Sequence, residues 1–526
     1  MHLPPRKRIL MIGTAALAIL AMSLVHISTP AGAGLANDSA AYVGGARSIL
    51  AGTGYSDVWL DSSLEPITHY PPLFSIILSA IGVFGIDPLR SVRVLNILFF
   101  GFNTALVVTI AHQLGKKTWL AMWAGGLFVL NSALLRVSLF AMSEPLFLFL
   151  SLCSLALLIH SIENYWKTSA ITLSGVAAGL SILTRYSGLA LLPAAFVVIC
   201  LDNDPWRQKA KRSAIFLTPS LLMLGAWLAR NRVTAGNATN RMLELHMVTM
   251  EQLQAGIYNL SRMLVPFEPV REPLVRLGIW NILVIAMLIS LGIGLVLLMY
   301  RLLRKRSDQP KELASALVLL YLFSYFGLIL ASISLFDHST RLIDRILAPG
   351  VICLLFLLTW LVKLAWEKAE RAPNTWPRII LLIGMASALL VSAAGQVSSV
   401  QNYSQVGQGY ASWKWHDSEI LASVKALPTD IIIYTNTPPA VYLVTGRASR
   451  VMPSQVDPVN GKPRSSYDTE LKAMAADIMA GRAVLALFNT TDIEASTDEG
   501  DLEHLLSQLP VLKKTGDATL FGVSLP

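Results

Sequence analysis

The chain has 526 residues, of which 54% are apolar and only 14% charged, with a mean hydropathy of +0.56. Soluble domains carry about 25% charged residues and disordered chains are poor in apolar ones, so both classes are excluded. The net charge of +9 divides into 32 basic against 19 acidic residues up to position 400 and 10 against 14 beyond it. The basic excess thus lies between apolar runs, where it sets membrane orientation, and nucleic acid is not an expected partner.

Arg6, Lys7 and Arg8 precede an uncharged run over 9–37. This pattern fits a secretory signal with Ala31-Gly32-Ala33 as its cleavage site, or an uncleaved first helix. The length of the run, and the spans that follow, favour the anchor. Further runs cover 71–86, 94–111, 118–135, 145–162, 168–184, 186–201, 213–229, 277–300, 313–336, 346–362 and 379–400. The 71–86 run is short and opens on two prolines, which predicts a re-entrant or interfacial helix and leaves eleven spans. With the N-terminus in the cytoplasm, all ten Lys before residue 400 fall in inner loops, and outer loops use Arg alone. Eleven crossings then place 401–526 outside the membrane. There, 430–434, 484–488 and 518–523 read as strands and 470–480 as a helix, predicting a small α/β domain. Cys153, Cys200 and Cys353 lie in apolar runs and read as packing residues.

No phosphate-binding Gly-rich loop, H-E-x-x-H or G-x-S-x-G is present, which removes the usual support for nucleotide-driven transport and the common hydrolases. What remains is a set of ionisable residues at outer span ends. Asp38 follows the first run directly, and Tyr42, Ala46, Ile49 and Leu50 continue at helical spacing, predicting an amphipathic helix on the outer interface. Asp38 beside Ser39 also reads as a helix cap, and the two roles are compatible. Glu65 and His69 stand four apart before Pro71-Pro72 and form a candidate divalent-metal or substrate pair; the plain alternative is a Pro-rich loop entering a helix. Ser143-Glu144-Pro145 opens a span, with capping as its default role. Arg185, Arg230, Arg232, Arg241, Arg341 and Arg345 lie at outer span ends. Guanidinium forks bind phosphate oxygens in pairs, whereas Lys would serve equally well as an interfacial anchor. The absence of Lys from these loops therefore points to phosphate.

Taken in order, the acid after the first span, Gly52-Thr53-Gly54-Tyr55, Pro71-Pro72-Leu73, Ser143-Glu144-Pro145, Leu183-Thr184-Arg185, Arg230-Asn231 and Asp344-Arg345-Ile346-Leu347-Ala348-Pro349 resemble the GT-C fold glycosyltransferases. The branch resembled is the bacterial one, similar to protein O-mannosyltransferases and lipid A aminoarabinose transferase. The resemblance implies a polytopic α-helical domain over 1–400, with interfacial helices in the outer loop 31–93, and an appended extracytoplasmic domain over 401–526. It implies sugar transfer from a polyprenyl-phosphate donor to a glycan, lipid or protein acceptor at the outer face of the bacterial cytoplasmic membrane. Asp38 would be the catalytic base and Glu144 the second acid. Tyr42, Glu65, His69, Arg185, Arg230, Arg241, Arg341 and Arg345 would bind donor or substrate, and Glu65 and His69 are the candidates for a divalent metal. The paired Asp-Glu of protein mannosyltransferases is absent, since Asp38 sits between Asn37 and Ser39. The competing readings are a secondary transporter or flippase, and a polysaccharide polymerase or ligase of another membrane fold. Transporters place ionisable groups at mid-membrane on broken, repeated helices, and neither feature is visible here.

Overall fold

A backbone crossing hydrocarbon must satisfy its own N–H and C=O groups, so each long apolar run has to become a helix. The computed structural model describes residues 5–523 except 62–63, 240–242, 246, 305–308, 337–339, 457–461, 490–504 and 517. Among the described residues, eight helices are long and apolar enough to cross a membrane: α1 (Pro5–Ser28), α4 (Pro88–Gly115), α7 (Glu144–Glu163), α10 (Trp206–Ala235), α13 (Ile279–Leu303), α14 (Gln309–Leu335), α15 (Asp344–Glu370) and α16 (Trp376–Val406). The other apolar helices are shorter: α3 (Leu73–Gly82), α5 (Thr118–Val129), α8 (Thr168–Ile182) and a 3₁₀ turn, Tyr186–Ala190, leading into α9 (Leu191–Leu201). At about 1.5 Å per residue, α3 reaches only about 15 Å of the roughly 30 Å hydrocarbon core, and α5, α8 and α9 also fall short of it, so among the described residues eight of the eleven expected spans have helices of spanning length. The chain is a multi-pass membrane protein. Smaller helices occupy the loops: α2 (Asn37–Leu50), α6 (Ser132–Val137), α11 (Met250–Leu264) and α12 (Glu268–Arg276).

Small residues let the helices approach closely, as expected where packing rather than solvent exclusion holds them together. A Cβ at Gly175 of α8 would lie 2.3 Å from the Phe216 carbonyl oxygen of α10. Ser154 and Ser174 exchange hydroxyl-to-carbonyl bonds of 3.0 and 2.7 Å between α7 and α8. Phe100, Phe128, Phe147, Phe216 and Phe356 are fully buried in the shared core.

Beyond α16 the chain forms α17 (Trp413–His416), α18 (Glu419–Ala426), β1 (Ile432–Thr435), α19 (Pro438–Thr445), β2 (Arg450–Val451), α20 (Tyr467–Met479), β3 (Ala483–Phe488), β4 (Val511–Lys514) and β5 (Ala518–Phe521). The sheet order is β2-β1-β3-β5-β4; β1 is parallel to β2 and β3, and β5 is antiparallel to β3 and β4. Alternation along β1 sends Ile433 to the face covered by α18 and α19 and Tyr434 to the face covered by α20. This unit grips α2: Tyr442 and Leu443 of α19 share a buried cluster with Tyr42 and Ala46, and Arg450 pairs with Asp61 at 3.0 Å.

That contact changes the reading of α2. Its apolar spacing predicts a half-exposed interfacial helix, but residues 39–46 are all buried. α3 packs on one part of the helix and α19 on another, so the small residues Ala40, Ala41, Gly44, Gly45 and Ala46 are packing surface rather than a polar face.

Candidate active site

The start of α2 determines what Asp38 is free to do. Residue Ala36 is the N-cap, and its N–H donates to Ser39 Oγ at 2.9 Å. Ser39 thus closes the helix end, and Asp38 turns to other partners. Its Oδ1 accepts the Tyr70 hydroxyl at 2.8 Å, and its Oδ2 pairs with the Arg345 guanidinium. Burial alone would raise the Asp38 pKa; the charge and hydrogen bond of Arg345, the Tyr70 hydroxyl and the charge of Arg185 outweigh it and hold the carboxyl below its ordinary value. Asp38 is therefore ionised at neutral pH. Burial and the nearby Asp38 charge push the Tyr70 hydroxyl up, so it remains a donor.

Ser143 caps α7 in position, without a side-chain cap bond. Its Oγ instead shares a 2.8 Å hydrogen bond with the Tyr42 hydroxyl. Glu144 is the first residue of α7, where the helix dipole favours an anion, and its side chain is 3% exposed. Oε1 accepts Arg185 Nη1 at 2.7 Å and lies 3.8 Å from Arg345 Nη1. Among the described residues Oε2 is buried without a hydrogen-bond partner. The sequence-predicted Asp38, Tyr42, Glu144, Arg185 and Arg345 thus form one connected group, drawn from the second, seventh and fifteenth helices and the turn after α8.

Asp38, Glu144 and Arg345 face a cavity of about 530 Å³. Its wall also holds Arg136 and Arg262, which the sequence reading did not single out, and Asp344, which it gave no role beyond the motif that Asp344 opens. Arg136 Nη1 lies 3.6 Å from Asp344 Oδ2. The signal for these arginines was present, since both belong to the Lys-free outer set, but neither sits in a pattern that distinguishes it. Arg136, Arg262 and Asp344 are shared with a neighbouring polar chamber of about 500 Å³. A third, apolar groove of about 410 Å³ runs between Leu127, Leu134, Met263, Trp280, Leu283 and Leu361. Met263 of this groove follows Arg262 of the chamber in the chain.

Other predicted residues lie elsewhere. Arg230 donates to the carbonyls of Ile67 (2.8 Å) and Tyr55 (3.0 Å), and stacks over Trp227 with its Cζ 5.2 Å from the ring centroid. With Asn231, which donates to Thr68 O at 3.3 Å, it fastens the 65–70 loop to α10. That fastening holds Tyr70 against Asp38. His69 stacks on Tyr70 with ring centroids 4.1 Å apart. Glu65 is exposed, and Arg341 is exposed just before α15. Arg241 lies outside the described residues. Among the described residues no three His, Cys, Asp or Glu side chains are grouped to hold a metal, so Glu65 and His69 find no third protein ligand there and no step is derived through one.

Comparison with known proteins supports the fold. The sequence profile of the dolichyl-phosphate-mannose-protein mannosyltransferases matches residues 59–226. Among curated proteins, none matches the chain. The crystal structure of ArnT from Cupriavidus metallidurans bound to undecaprenyl phosphate superimposes with a TM-score of 0.57 at 12% identity, covering 96% of this chain and 97% of that one. An oligosaccharyltransferase from Archaeoglobus fulgidus in complex with Zn and sulfate gives 0.57 at 13% identity, over 96% of this chain and 73% of that one. The archaeal oligosaccharyltransferase AglB from the same organism, in complex with an inhibitory peptide and a dolichol-phosphate, gives 0.53 at 14% identity over 98% and 74%. The chain has the GT-C fold that its sequence resembles.

Proposed function

We propose that the chain is an integral-membrane glycosyltransferase, moving a sugar from a polyprenyl-phosphate donor to an acceptor on the outer face of the cytoplasmic membrane. The observation that carries this reading is Asp38: an ionised carboxylate in a cavity that also holds three arginines, Arg136, Arg262 and Arg345, against two further carboxylates. The fold is shared with ArnT, solved with undecaprenyl phosphate, and with AglB, solved with a dolichol-phosphate.

The chemistry is an inverting displacement. Asp38 accepts the proton of the acceptor hydroxyl, that oxygen bonds to the anomeric carbon, and the bond from that carbon to the phosphate oxygen breaks. The leaving group is already a phosphate and needs no proton, so cationic stabilisation suffices. Arg345 supplies it beside Asp38, with Arg185 behind it on Glu144 and Arg136 and Arg262 toward the second chamber. The apolar groove next to Arg262 suits the first isoprene units of the carrier. Glu65 and His69 would be the protein ligands of a divalent metal such as the Zn present with the archaeal oligosaccharyltransferase, with its other positions left to substrate and water. The odd number of expected spans, eleven of the twelve apolar runs, and the Lys distribution support a cytoplasmic N-terminus and an extracytoplasmic C-terminal domain.

The test is incubation of the purified protein, in lipid nanodiscs, with labelled polyprenyl-phosphate sugars and membrane acceptors. Transfer of label supports the enzyme. Translocation of the donor without transfer would establish a carrier instead.

A further inference from the structure

The last long helix does not release the C-terminal unit into solvent. After Val406 the chain returns to the active cavity, and Gly409 and Tyr410 form part of its wall. Leu35 N–H donates to Gln408 O at 3.2 Å, and Tyr410 N–H donates to Leu35 O at 2.9 Å. The approach is so close that a Cβ at Gly409, whose φ is +56°, would lie 2.0 Å from the Leu35 carbonyl oxygen. Both the left-handed backbone and the missing space require glycine there.

Tyr410 occupies the junction. Its ring meets Trp415 edge-on with centroids 4.9 Å apart, and Trp415 packs on Phe488 of the sheet at 5.1 Å. Its hydroxyl bonds Asn37 Oδ1, one residue from Asp38. Holding the amide oxygen toward Tyr410 turns the Asn37 NH₂ group away from it. Among the described residues that NH₂ group has no hydrogen-bond partner, and Asn37 lines the cavity.

We propose that Tyr410 is a positioning residue for the acceptor: it orients the Asn37 amide, which donates to a hydroxyl-bearing neutral sugar placed beside Asp38. This rests on the transferase reading and gives the C-terminal unit its role, as one wall of the acceptor subsite. Two observations specify the ligand. Leu35, Ala36, Asn37, Phe140, Gly409 and Tyr410 form a wall of apolar surface and neutral donors or acceptors, without a charged side chain to recognise an ionic headgroup. Two of the cavity arginines, Arg136 on α6 and Arg262 on α11, also line the second chamber, whereas Arg345 on α15 sits on Asp38. An in-line displacement needs the leaving phosphate and the attacking hydroxyl on opposite sides of the anomeric carbon. The phosphate therefore belongs toward Arg136 and Arg262, and the hydroxyl with Asp38 and the uncharged wall.

The experiment uses the full chain in nanodiscs loaded with decaprenyl phosphate, with methyl β-D-glucopyranoside and glucuronate as probes in saturation-transfer NMR. The neutral glycoside binds in preference to glucuronate. Tyr410→Phe keeps the ring against Trp415 but removes the hydroxyl, and weakens glycoside binding about fivefold, the effect of one neutral hydrogen bond. Asn37→Ala gives a similar loss, and the double variant loses no more than either, because the two side chains act through one contact. Decaprenyl phosphate affinity stays unchanged throughout. Equal glycoside binding in the wild type and both single variants overturns the proposal, as does tighter binding of glucuronate or additive losses in the double variant. Transfer of labelled sugar is scored separately: retained, Tyr410-dependent glycoside binding without any transfer refutes the enzyme reading and leaves the neutral-sugar subsite standing.

Discussion

Replacing Asp38 by Asn tests the catalytic reading with little change of shape. The amide oxygen still accepts the Tyr70 hydroxyl, and Ser39 rather than Asp38 closes the helix end, so α2 keeps its start. The ion pair with Arg345 is lost, but the two side chains are 23% and 33% exposed, and such a pair contributes only about 1 kcal/mol. The chemical loss is larger. A positioned base contributes roughly 10²–10⁴ in rate, or about 3–5 kcal/mol of barrier. Donor affinity should hold or rise, since Arg345 gains freedom to meet the phosphate. The assay is initial-rate transfer from a labelled polyprenyl-phosphate sugar, alongside decaprenyl phosphate binding and a thermal melt. Full transfer by a normally expressed, normally stable variant would refute the argument and send the search for the base to Glu144 or Glu65.

Arg185→Met leaves the Glu144 carboxylate buried with only the 3.8 Å contact to Arg345, and breaking such a pair should lower stability by about 3–5 kcal/mol, read as a lower melting temperature; an unchanged melt would refute the buried-pair reading. Asp344→Asn releases Arg136 from its 3.6 Å partner, so decaprenyl phosphate should bind up to about tenfold tighter through a charge-assisted contact, and weaker binding would show that Arg136 does not face the donor. Burial raises the Asp57 pKa to about 6, with the Trp59 hydrogen bond opposing and the Glu65 charge adding. Its folded pKa exceeds the unfolded value of about 3.9, so the stability it contributes is complete below about 3.9 and lost as pH rises through about 6. Asp57→Asn should accordingly raise the melting temperature at pH 7–8 more than at pH 4. A reporter fused after Val406 should be active only when exported, and cytoplasmic activity would remove the eleven-crossing topology.

The fold was legible because its signal is physical and local: apolar runs of spanning length, interrupted by basic loops, have few other solutions in a membrane. Each predicted run contains a helix in the structure. In the C-terminal unit the buried strands β1, β3 and β5 were visible as apolar runs, whereas β2 (Arg450–Val451) and β4 (Val511–Lys514) are short, partly exposed edges without such a run. The site was half legible. Asp38, Glu144 and Arg345 were visible as ions at span ends, but local spacing also made Asp38 a cap, and only the Ala36–Ser39 bond resolves that. Arg136, Arg262, Asn37 and Tyr410 enter the cavity through contacts across the whole chain; Tyr410 reaches Asn37 over 373 positions, a separation no periodicity encodes.

The electrostatics of the cavity follow from where its carboxylates sit. Asp38, Glu144 and Asp344 all lie in the first turns of their helices, α2, α7 and α15, whose partial positive ends stabilise anions. Residues from the first turns of three helices thus line one cavity, together with Arg136, Arg262 and Arg345. With three carboxylates against three guanidiniums, the side chains balance in formal charge, and the helix ends tip the field positive. In the proposed reaction an incoming phosphate meets Arg136 and Arg345 already paired with Asp344 and Asp38, and displaces an internal partner instead of ordering a flexible side chain. In the proposed reaction that exchange frees Asp38 from Arg345 when a donor binds, so the carboxylate is available as a base only when there is a sugar to transfer.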